Sequence, residues 1–199
     1  LADGGEGTTE ALVEGLGGEY VSLEVTGPMG AKTRARYGIL RDKRTAVLEM
    51  AEASGMILVK REELDPARAT TYGVGEMILD AIKRGCREFI IGIGGSATSE
   101  GGAGMLQALG YEIADADGNP VRPGIRDLDR IATINAGHVP EELKECHFRI
   151  ACDVKNPLCG ENGAVYVFGS QKGVQEEEKQ CFDEKMKHFA DKTQEYTGT

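Results

Sequence analysis

The sequence of 199 residues contains no tryptophan, and aromatic residues make up only 6% of it. A buried core therefore has to be built mainly from aliphatic side chains and methionine. No apolar run approaches the roughly 20 residues that a membrane-spanning helix needs, and no secretory signal peptide is visible. We therefore predict that the chain neither crosses a membrane nor binds one, and that it forms one large domain or one domain with part of another.

Basic residues are also in short supply. Lysine and arginine number 23 against 33 aspartates and glutamates, which gives a formal net charge of −10. This balance argues against nucleic acid or an anionic membrane as a partner, because both require a basic face. An anionic small molecule would have to be held by local backbone N–H groups and a few well-placed cations.

The cysteines offer neither a disulfide framework nor a metal site. There are five of them, an odd number, and none belongs to a Cys-x-x-Cys pair: Cys86, Cys146, Cys152, Cys159 and Cys181. The three histidines are not spaced as metal ligands beside them. We predict reduced thiols and a cytoplasmic protein.

Standard phosphate-binding signatures are missing as well. The sequence has no Gly-x-x-x-x-Gly-Lys-Ser/Thr loop, and it lacks the His-Arg-Asp and Asp-Phe-Gly set of protein kinases. What it does have is the apolar segment Phe89–Ile93, which runs directly into the glycine-rich loop 94–104. We expect Ser96, Thr98 and Ser99 to open a helix there, so that bare N–H groups at its positive end bind phosphate or carboxylate. The structural alternative is a tight turn.

The periodicity predicts an α/β fold with a mixed sheet and flanking helices. A short helix ends at Gly17, and strands over 20–26, 32–39 and 45–50 form an antiparallel meander. From residue 70 onward, helices alternate with strands at 89–93 and 147–153, both expected to be buried. Residues 121–145 have little periodicity, and the last segment is a long amphipathic helix.

Four loops combine glycine or turn residues with acids, amides or hydroxyls: 3–8, 70–76, 94–102 and 153–172. Each one alone is a weak signal, because helix caps or turns also account for such residues. Together they supply what phosphoryl transfer requires, namely N–H cradles, a cation, and carboxylates for Mg²⁺ or for a base.

A competing interpretation is an NAD(P)-binding oxidoreductase. Gly92-x-Gly94-x-x-Ala97 fits the dinucleotide fingerprint, and Glu112 or Asp115 lies about 20 residues further on, where a ribose-binding acid is expected. Against it, further glycines fall inside the helix that should follow this loop.

The loops together resemble the bacterial glycerate kinase family, the ATP-dependent type I enzymes. The matching stretches are Ala2–Thr8, Val25–Gly30, Glu49–Gly55, Thr70–Glu76, Gly92–Thr98, Gly101–Gly110, Ala151–Leu158 and Phe168–Gly173. Two positions depart from the usual pattern. Ser99-Glu100 replaces Asn-Asp, and Ser170 replaces a proline.

The resemblance implies two α/β domains with the active site between them. It places residues 1–18 in a remnant of the first, Rossmann-like domain. Residues 19–199 form the inserted domain, with an unfinished C-terminal helix. The chain lacks an initial Met and matches only the middle half of a family member, so we expect its natural start to lie upstream. The alternative for the chain by itself is a non-catalytic anion-binding fragment.

The resemblance also implies roles for individual residues. Asp153 becomes a Mg²⁺ ligand or the base, Lys172 neutralises developing charge, and Asp3 reaches in from the other domain. Substrate or phosphate contacts are expected from Gly4, Gly5, Glu6, Thr8, Thr70, Thr71, Tyr72, Gly73, Gly94, Gly95, Ser96, Ala97, Thr98, Asn156 and Gln171. The implied ligands are D-glycerate, ATP and Mg²⁺, with 2-phosphoglycerate as product, and a homodimer is left open.

Overall fold

The computed structural model describes residues 7–198. Its α-helices are α1 (Thr8–Leu16), α2 (Ala51–Ser54), α3 (Tyr72–Lys83), α4 (Ala103–Ala108), α5 (Ala164–Phe168) and α6 (Lys179–Thr197). Its strands are β1 (Gly18–Thr26), β2 (Lys32–Leu40), β3 (Thr45–Glu49), β4 (Glu88–Gly92), β5 (Glu112–Ala114), β6 (Thr133–Asn135) and β7 (His147–Ala151). Short 3₁₀ turns connect several of these elements, including Ile125–Arg130 and Ser170–Lys172.

The main sheet has five strands in the order β1-β2-β3-β4-β7. Strands β1, β2 and β3 pair antiparallel, which confirms the predicted meander, whereas β3, β4 and β7 pair parallel. The predicted α/β class with a mixed sheet and flanking helices is therefore confirmed. The parallel strands β3, β4 and β7 end at one edge of the sheet, and ligand sites of α/β proteins form at such edges.

Helices α2 and α3 cover one face of this sheet. The apolar residues of α3 recur at helical spacing and are all buried: Val74, Met77, Ile78, Ala81 and Ile82. They pack in one cluster with Tyr37, Leu48 and Phe89 from the strands. Full burial of a Leu, Ile, Phe or Met side chain stabilises the fold by about 1.5–3 kcal/mol.

Helix α1 lies on the opposite face of the same sheet. Its Val13 packs against Leu40 of β2 and Val47 of β3. The N-terminus of α1 is fixed by the buried carboxylate of Glu49, which accepts a hydrogen bond from the Thr9 N–H at 2.7 Å. The predicted domain boundary after residue 18 stays a prediction, and α1 contacts the sheet directly.

A second apolar cluster lies beyond α4. It joins α6 to the 3₁₀ turn Ile125–Arg130, to α5 and to the antiparallel pair of β5 and β6. Phe182, Met186 and Phe189 of α6 are its largest contributions. This cluster includes Val121, Leu128 and Ile134, so it gives order to the first part of the segment 121–145, where the sequence shows little periodicity.

Two local predictions are wrong. Strand β7 is not buried, because β4 is its only flanking strand in the described structure, and Ile150 is 54% exposed. The helix after the glycine loop does not open at Ser96–Ser99. It begins at Ala103, with Gly102 in the left-handed conformation (φ 89°) at its N-cap. Within residues 7–198, no helix has both the length and the apolar character needed to cross a membrane.

Candidate active site

A cavity of about 640 Å³ opens at the carboxyl ends of the parallel strands. Met50 follows β3, Ile93 follows β4 and Cys152 follows β7, and all three line the cavity. Its size falls within the range typical of small-molecule sites. The fold therefore brings segments that are far apart in sequence, from Met50 to Met186, around one concave surface.

The glycine loop after β4 forms one wall of this cavity. Two hydrogen bonds hold it against the C-terminal end of α2 and the residues that follow. The Met56 N–H donates to the Gly95 carbonyl at 3.0 Å, and the Ala97 N–H donates to the Ser54 carbonyl at 2.8 Å. Gly95 has a positive φ of 70°, a conformation that favours glycine. Within the described chain, the N–H groups of Gly94, Gly95 and Ser96 have no acceptor. Free N–H groups at a cavity wall are suitable donors to an anion.

Lys172 brings a positive charge to the same loop. Its Nζ donates to Ser96 Oγ at 3.0 Å and to the Thr98 carbonyl at 2.6 Å. It forms no ion pair with any carboxylate of residues 7–198. Burial lowers the pKa of Lys172 to about 8, because the ammonium loses solvent without gaining a counter-charge. A desolvated cation without a counter-charge at the cavity is well suited to bind an anion.

Asp153 faces the cavity from the loop after β7, and Asn156 lines it nearby. The Asp153 carboxylate has no hydrogen-bond or ion-pair partner in the described part of the chain, whereas Asn156 donates to the Asn162 carbonyl at 3.0 Å. Mg²⁺ is usually held by one or two carboxylates together with substrate phosphates. An unengaged carboxylate beside an anion-binding loop fits that donor set, although no group of three or more metal-ligating side chains is found among residues 7–198.

Glu100 is an acid of a different kind, because its carboxylate is fully engaged. It is 1% exposed. It accepts hydrogen bonds from the Thr71 N–H at 2.7 Å, the Gly104 N–H at 3.0 Å and the Gly124 N–H at 2.8 Å, and also from the Thr71 hydroxyl. Glu100 thus occupies the anion position at the start of α4 and ties three segments together.

The sequence model of the glycerate kinase family matches residues 1–199. The chain belongs to this family. It is 47% identical to the glycerate 2-kinase of Escherichia coli K12 and 45% identical to the glycerate kinase of Haemophilus influenzae, in both cases over 96% of this chain and 50% of the relative. The chain spans about half the length of the curated relatives it matches.

A solved structure supports the same grouping. A crystal structure of a protein proposed to be glycerate kinase 2 of Salmonella typhimurium LT2 superposes with a TM-score of 0.94 at 46% identity. The match covers 98% of this chain and 52% of that one.

In this glycerate kinase family member, the cavity gathers many of the residues that the sequence singled out. It is lined by Thr71, Gly94, Gly95, Ser96, Thr98, Asp153, Asn156, Gln171 and Lys172. Ala97 lies directly behind the loop and is fully buried. Asp3, Gly4, Gly5 and Glu6 lie outside the described residues.

Four other residues with predicted contacts lie elsewhere. Thr70 and Tyr72 line a separate, smaller cleft. Gly73 packs α3 against β1, where an added Cβ would lie 2.1 Å from the Thr26 carbonyl oxygen. Thr8 is buried at the first position of α1. Their predicted roles in substrate binding remain predictions.

Sequence reasoning missed the apolar wall of the cavity. Met50, Met56, Phe168 and Met186 all contribute to it. The helical spacing of Met186 with Phe182 and Phe189 indicated a core position only. Its second role depends on where α6 lies relative to the glycine loop, and no local pattern encodes that placement.

The structure does not have the loop geometry that the dinucleotide interpretation requires. A fingerprint loop has to lead straight into a helix, but α4 begins only at Ala103. The candidate ribose-binding acids are already engaged. Asp115 accepts from the Asn119 N–H at 2.9 Å and from Arg130 at 2.8 Å, and Glu112 pairs with His138 at 2.9 Å.

Proposed function

We propose that the protein is a phosphotransferase that moves the γ-phosphate of ATP to a hydroxyl of D-glycerate, giving 2-phosphoglycerate. One observation carries the proposal: the loop residues Gly94–Ser96, whose N–H groups have no acceptor among residues 7–198, line one cavity together with Lys172 and Asp153. Membership of the glycerate kinase family, with relatives named for that activity, supports the choice of substrate.

Each group has a task in this reaction. The N–H groups hold a phosphate or the glycerate carboxylate, and Lys172 offsets the charge that develops on the transferred phosphoryl group. Asp153 binds the metal or accepts the proton of the attacking hydroxyl. A bound Mg²⁺ supplies electrostatic stabilisation of the phosphate oxygens.

We also propose that the complete site needs residues from both halves of a family member, with Asp3 and Glu6 contributing from residues 1–18. The chain matches only about half the length of its relatives. This supports the proposal that the isolated chain carries only part of the site. All five cysteines are free thiols, which supports a reducing compartment such as the cytoplasm.

The test is a chimera in which this chain replaces the matching 191-residue segment of the Escherichia coli glycerate 2-kinase. Coupled ADP release is measured for the chimera, the isolated chain and the unaltered E. coli enzyme, each with D-glycerate, L-glycerate or glycolate. We expect turnover of D-glycerate by the chimera and the E. coli enzyme, and little or none by the isolated chain. Phosphorus and proton NMR of the product distinguish 2- from 3-phosphoglycerate.

A chimera that melts cooperatively but phosphorylates none of these acids, beside an active E. coli enzyme, contradicts the proposal. Formation of 3-phosphoglycerate contradicts only the product assignment. Asp153→Asn and Lys172→Ala in the chimera should each reduce turnover by about 10²-fold or more. A loss of less than about threefold removes that residue from the catalytic machinery.

A further inference from the structure

A second cleft lies apart from the Lys172 cavity and shares no lining residue with it. It has a volume of about 390 Å³ and is bounded by the turn after β1, the segment before α3 and the segment 122–127. Three arginines from two of these segments line it: Arg68, Arg122 and Arg126. We call it the arginine cleft.

The charges of this cleft are poorly compensated. Arg68 and Arg122 form no ion pair with any carboxylate of residues 7–198, and Arg126 reaches Asp65 only at 3.7 Å. Asp127 is the single acid in the lining, so the cleft keeps an excess of positive charge in a strongly acidic protein. By contrast, Arg130 on the same loop is paired with a carboxylate at 2.8 Å.

The wall that carries Arg122 and Arg126 is held in place by the backbone. The Arg126 N–H donates to the Ala67 carbonyl at 3.1 Å, and the Arg126 carbonyl accepts from Lys185 Nζ at 2.6 Å. Gly124 lies so close to the facing segment that a Cβ would be 2.6 Å from the Ala67 oxygen, and its N–H is bound by Glu100. The backbone beneath the guanidinium groups is therefore ordered before any ligand arrives, which reduces the cost of binding.

The remaining lining is chemically mixed. Met29, Pro123 and the ring of Tyr72 present apolar surface, and Thr70 presents a hydroxyl. Guanidinium groups bind phosphate oxygens in a bidentate manner, and a phosphate monoester carries about −1.5 to −2 charges at neutral pH. Such an ester matches the excess charge of the cleft, and its organic part matches the apolar surface.

We propose that the arginine cleft is a second anion site that binds a small phosphate monoester, separate from the site of phosphoryl transfer. Binding depends on the guanidinium groups of Arg68 and Arg122, which have no ion-pair partner among residues 7–198, with Arg126 as a third, partly compensated contact. Thr70 and Tyr72 of this cleft are also predicted substrate contacts, but the proposal depends on Arg68, Arg122 and Arg126, which have no role in the proposed transfer reaction. It can therefore be tested separately from the proposed function.

Calorimetric titration of the 199-residue chain tests this proposal, with phenyl phosphate and inorganic phosphate as probes at low salt and pH 7.5. All variants carry Lys172→Ala, which weakens anion binding in the other cavity. We expect Arg68→Ala with Arg122→Ala to weaken phenyl phosphate binding by at least about tenfold, because hydrogen bonds to charged groups are lost. Arg61→Ala is the matched control, since Arg61 is exposed and lies outside the cleft, and it should change binding by less than about twofold.

Comparing the two probes shows whether the organic part of the ligand contributes to affinity. Tighter binding of phenyl phosphate than of inorganic phosphate supports an ester ligand with an organic part, whereas equal affinity overturns the ester and leaves a site for phosphate alone. No binding in the Lys172→Ala background, or binding unchanged by the two arginine substitutions, overturns the second site. The double variant Arg68→Lys with Arg122→Lys is the control for a loss of binding caused by unfolding, because it keeps both charges. We expect its affinity for phenyl phosphate to lie between that of the protein with both arginines and that of the double alanine variant.

Discussion

The carboxylate of Glu100 accepts hydrogen bonds from both the backbone N–H and the hydroxyl of Thr71. Thr71 is the N-cap of α3 and lines the Lys172 cavity, and the same carboxylate also holds Gly104 at the start of α4 and Gly124 in the loop that bears Arg122. One buried acid therefore fixes the relative positions of the two cavities.

Glu100→Gln should destabilise the protein by about 2–4 kcal/mol, because a carboxamide places an N–H₂ group against backbone donors and leaves buried groups unsatisfied. Urea unfolding followed by circular dichroism measures the change. Glu145→Gln is the matched control. Glu145 is 70% exposed and pairs with Arg87 at the surface, so its loss should cost less than about 1 kcal/mol. Equal effects of the two substitutions would contradict the role assigned to Glu100.

Two helical glycines should respond to alanine with opposite signs. In α3, a Cβ on Gly75 would lie 2.5 Å from the Met105 carbonyl oxygen, so Gly75→Ala should lower the free energy of unfolding even though alanine is the better helix former. In α1, Gly15 has open space around it, so Gly15→Ala should raise that free energy by about 0.5–1 kcal/mol. Thermal melting of the two variants and of the unsubstituted protein measures both changes in stability. A gain for Gly75→Ala would show that α3 and α4 do not pack this closely.

The pH profile of the chimera should carry the signature of Lys172. Its pKa is lowered to about 8 by burial, so the ammonium is charged below that pH and becomes neutral above it. We therefore expect kcat/KM for D-glycerate to fall as the pH rises through about 8, since this ratio reports the free enzyme. Lys172→Arg keeps its charge throughout this range and should remove the alkaline fall, whatever its effect on the maximum rate. An unchanged alkaline limb in that variant would assign the titration to another group.

Asp153 should govern the magnesium requirement of the chimera. Asp153→Asn removes the unengaged carboxylate at the cavity and should raise the Mg²⁺ concentration for half-maximal activity by about tenfold or more. Glu161→Gln is the control from the same loop, because Glu161 is exposed and does not line the cavity. Activity is measured by ADP release over a Mg²⁺ titration at fixed ATP. A reduced rate with an unaltered Mg²⁺ requirement would favour the base over the metal ligand.

The local elements followed from short-range patterns. Alternating residues between Tyr20 and Thr26, with a Gly-Pro turn, determine the β1–β2 hairpin, and helical spacing determines α3 and α6. The start of α4 was missed because Ser96 and Thr98 resemble helix caps. In the structure, that loop is instead bonded to residues 54–56, and Glu100 serves the helix start. A residue's cap-forming chemistry does not reveal which partner it will find.

The sequence predicts which loops form the candidate site, but not how their side chains are arranged in it. The resemblance placed Lys172 and Ser96 in one site, yet their hydrogen bond joins residues 76 positions apart. Nothing in the local sequence signals the depressed pKa of Lys172 or the free carboxylate of Asp153. The arginine cleft was missed for the same reason, since Arg68 and Arg122 look like ordinary surface residues until the fold brings their segments together.

The order of strands in the sheet also indicates the order in which the strand pairs form during folding. The β1–β2 pair is closed by a short turn, whereas β4 must cross residues 50–87 to reach β3, and β7 must cross residues 93–146 to reach β4. Distant contacts form slowly because the connecting chain loses entropy before they are made. We expect the hairpin to form early and the β4–β7 edge late, so the loop bearing Asp153 should join the cavity that Lys172 lines only in the final stages of folding.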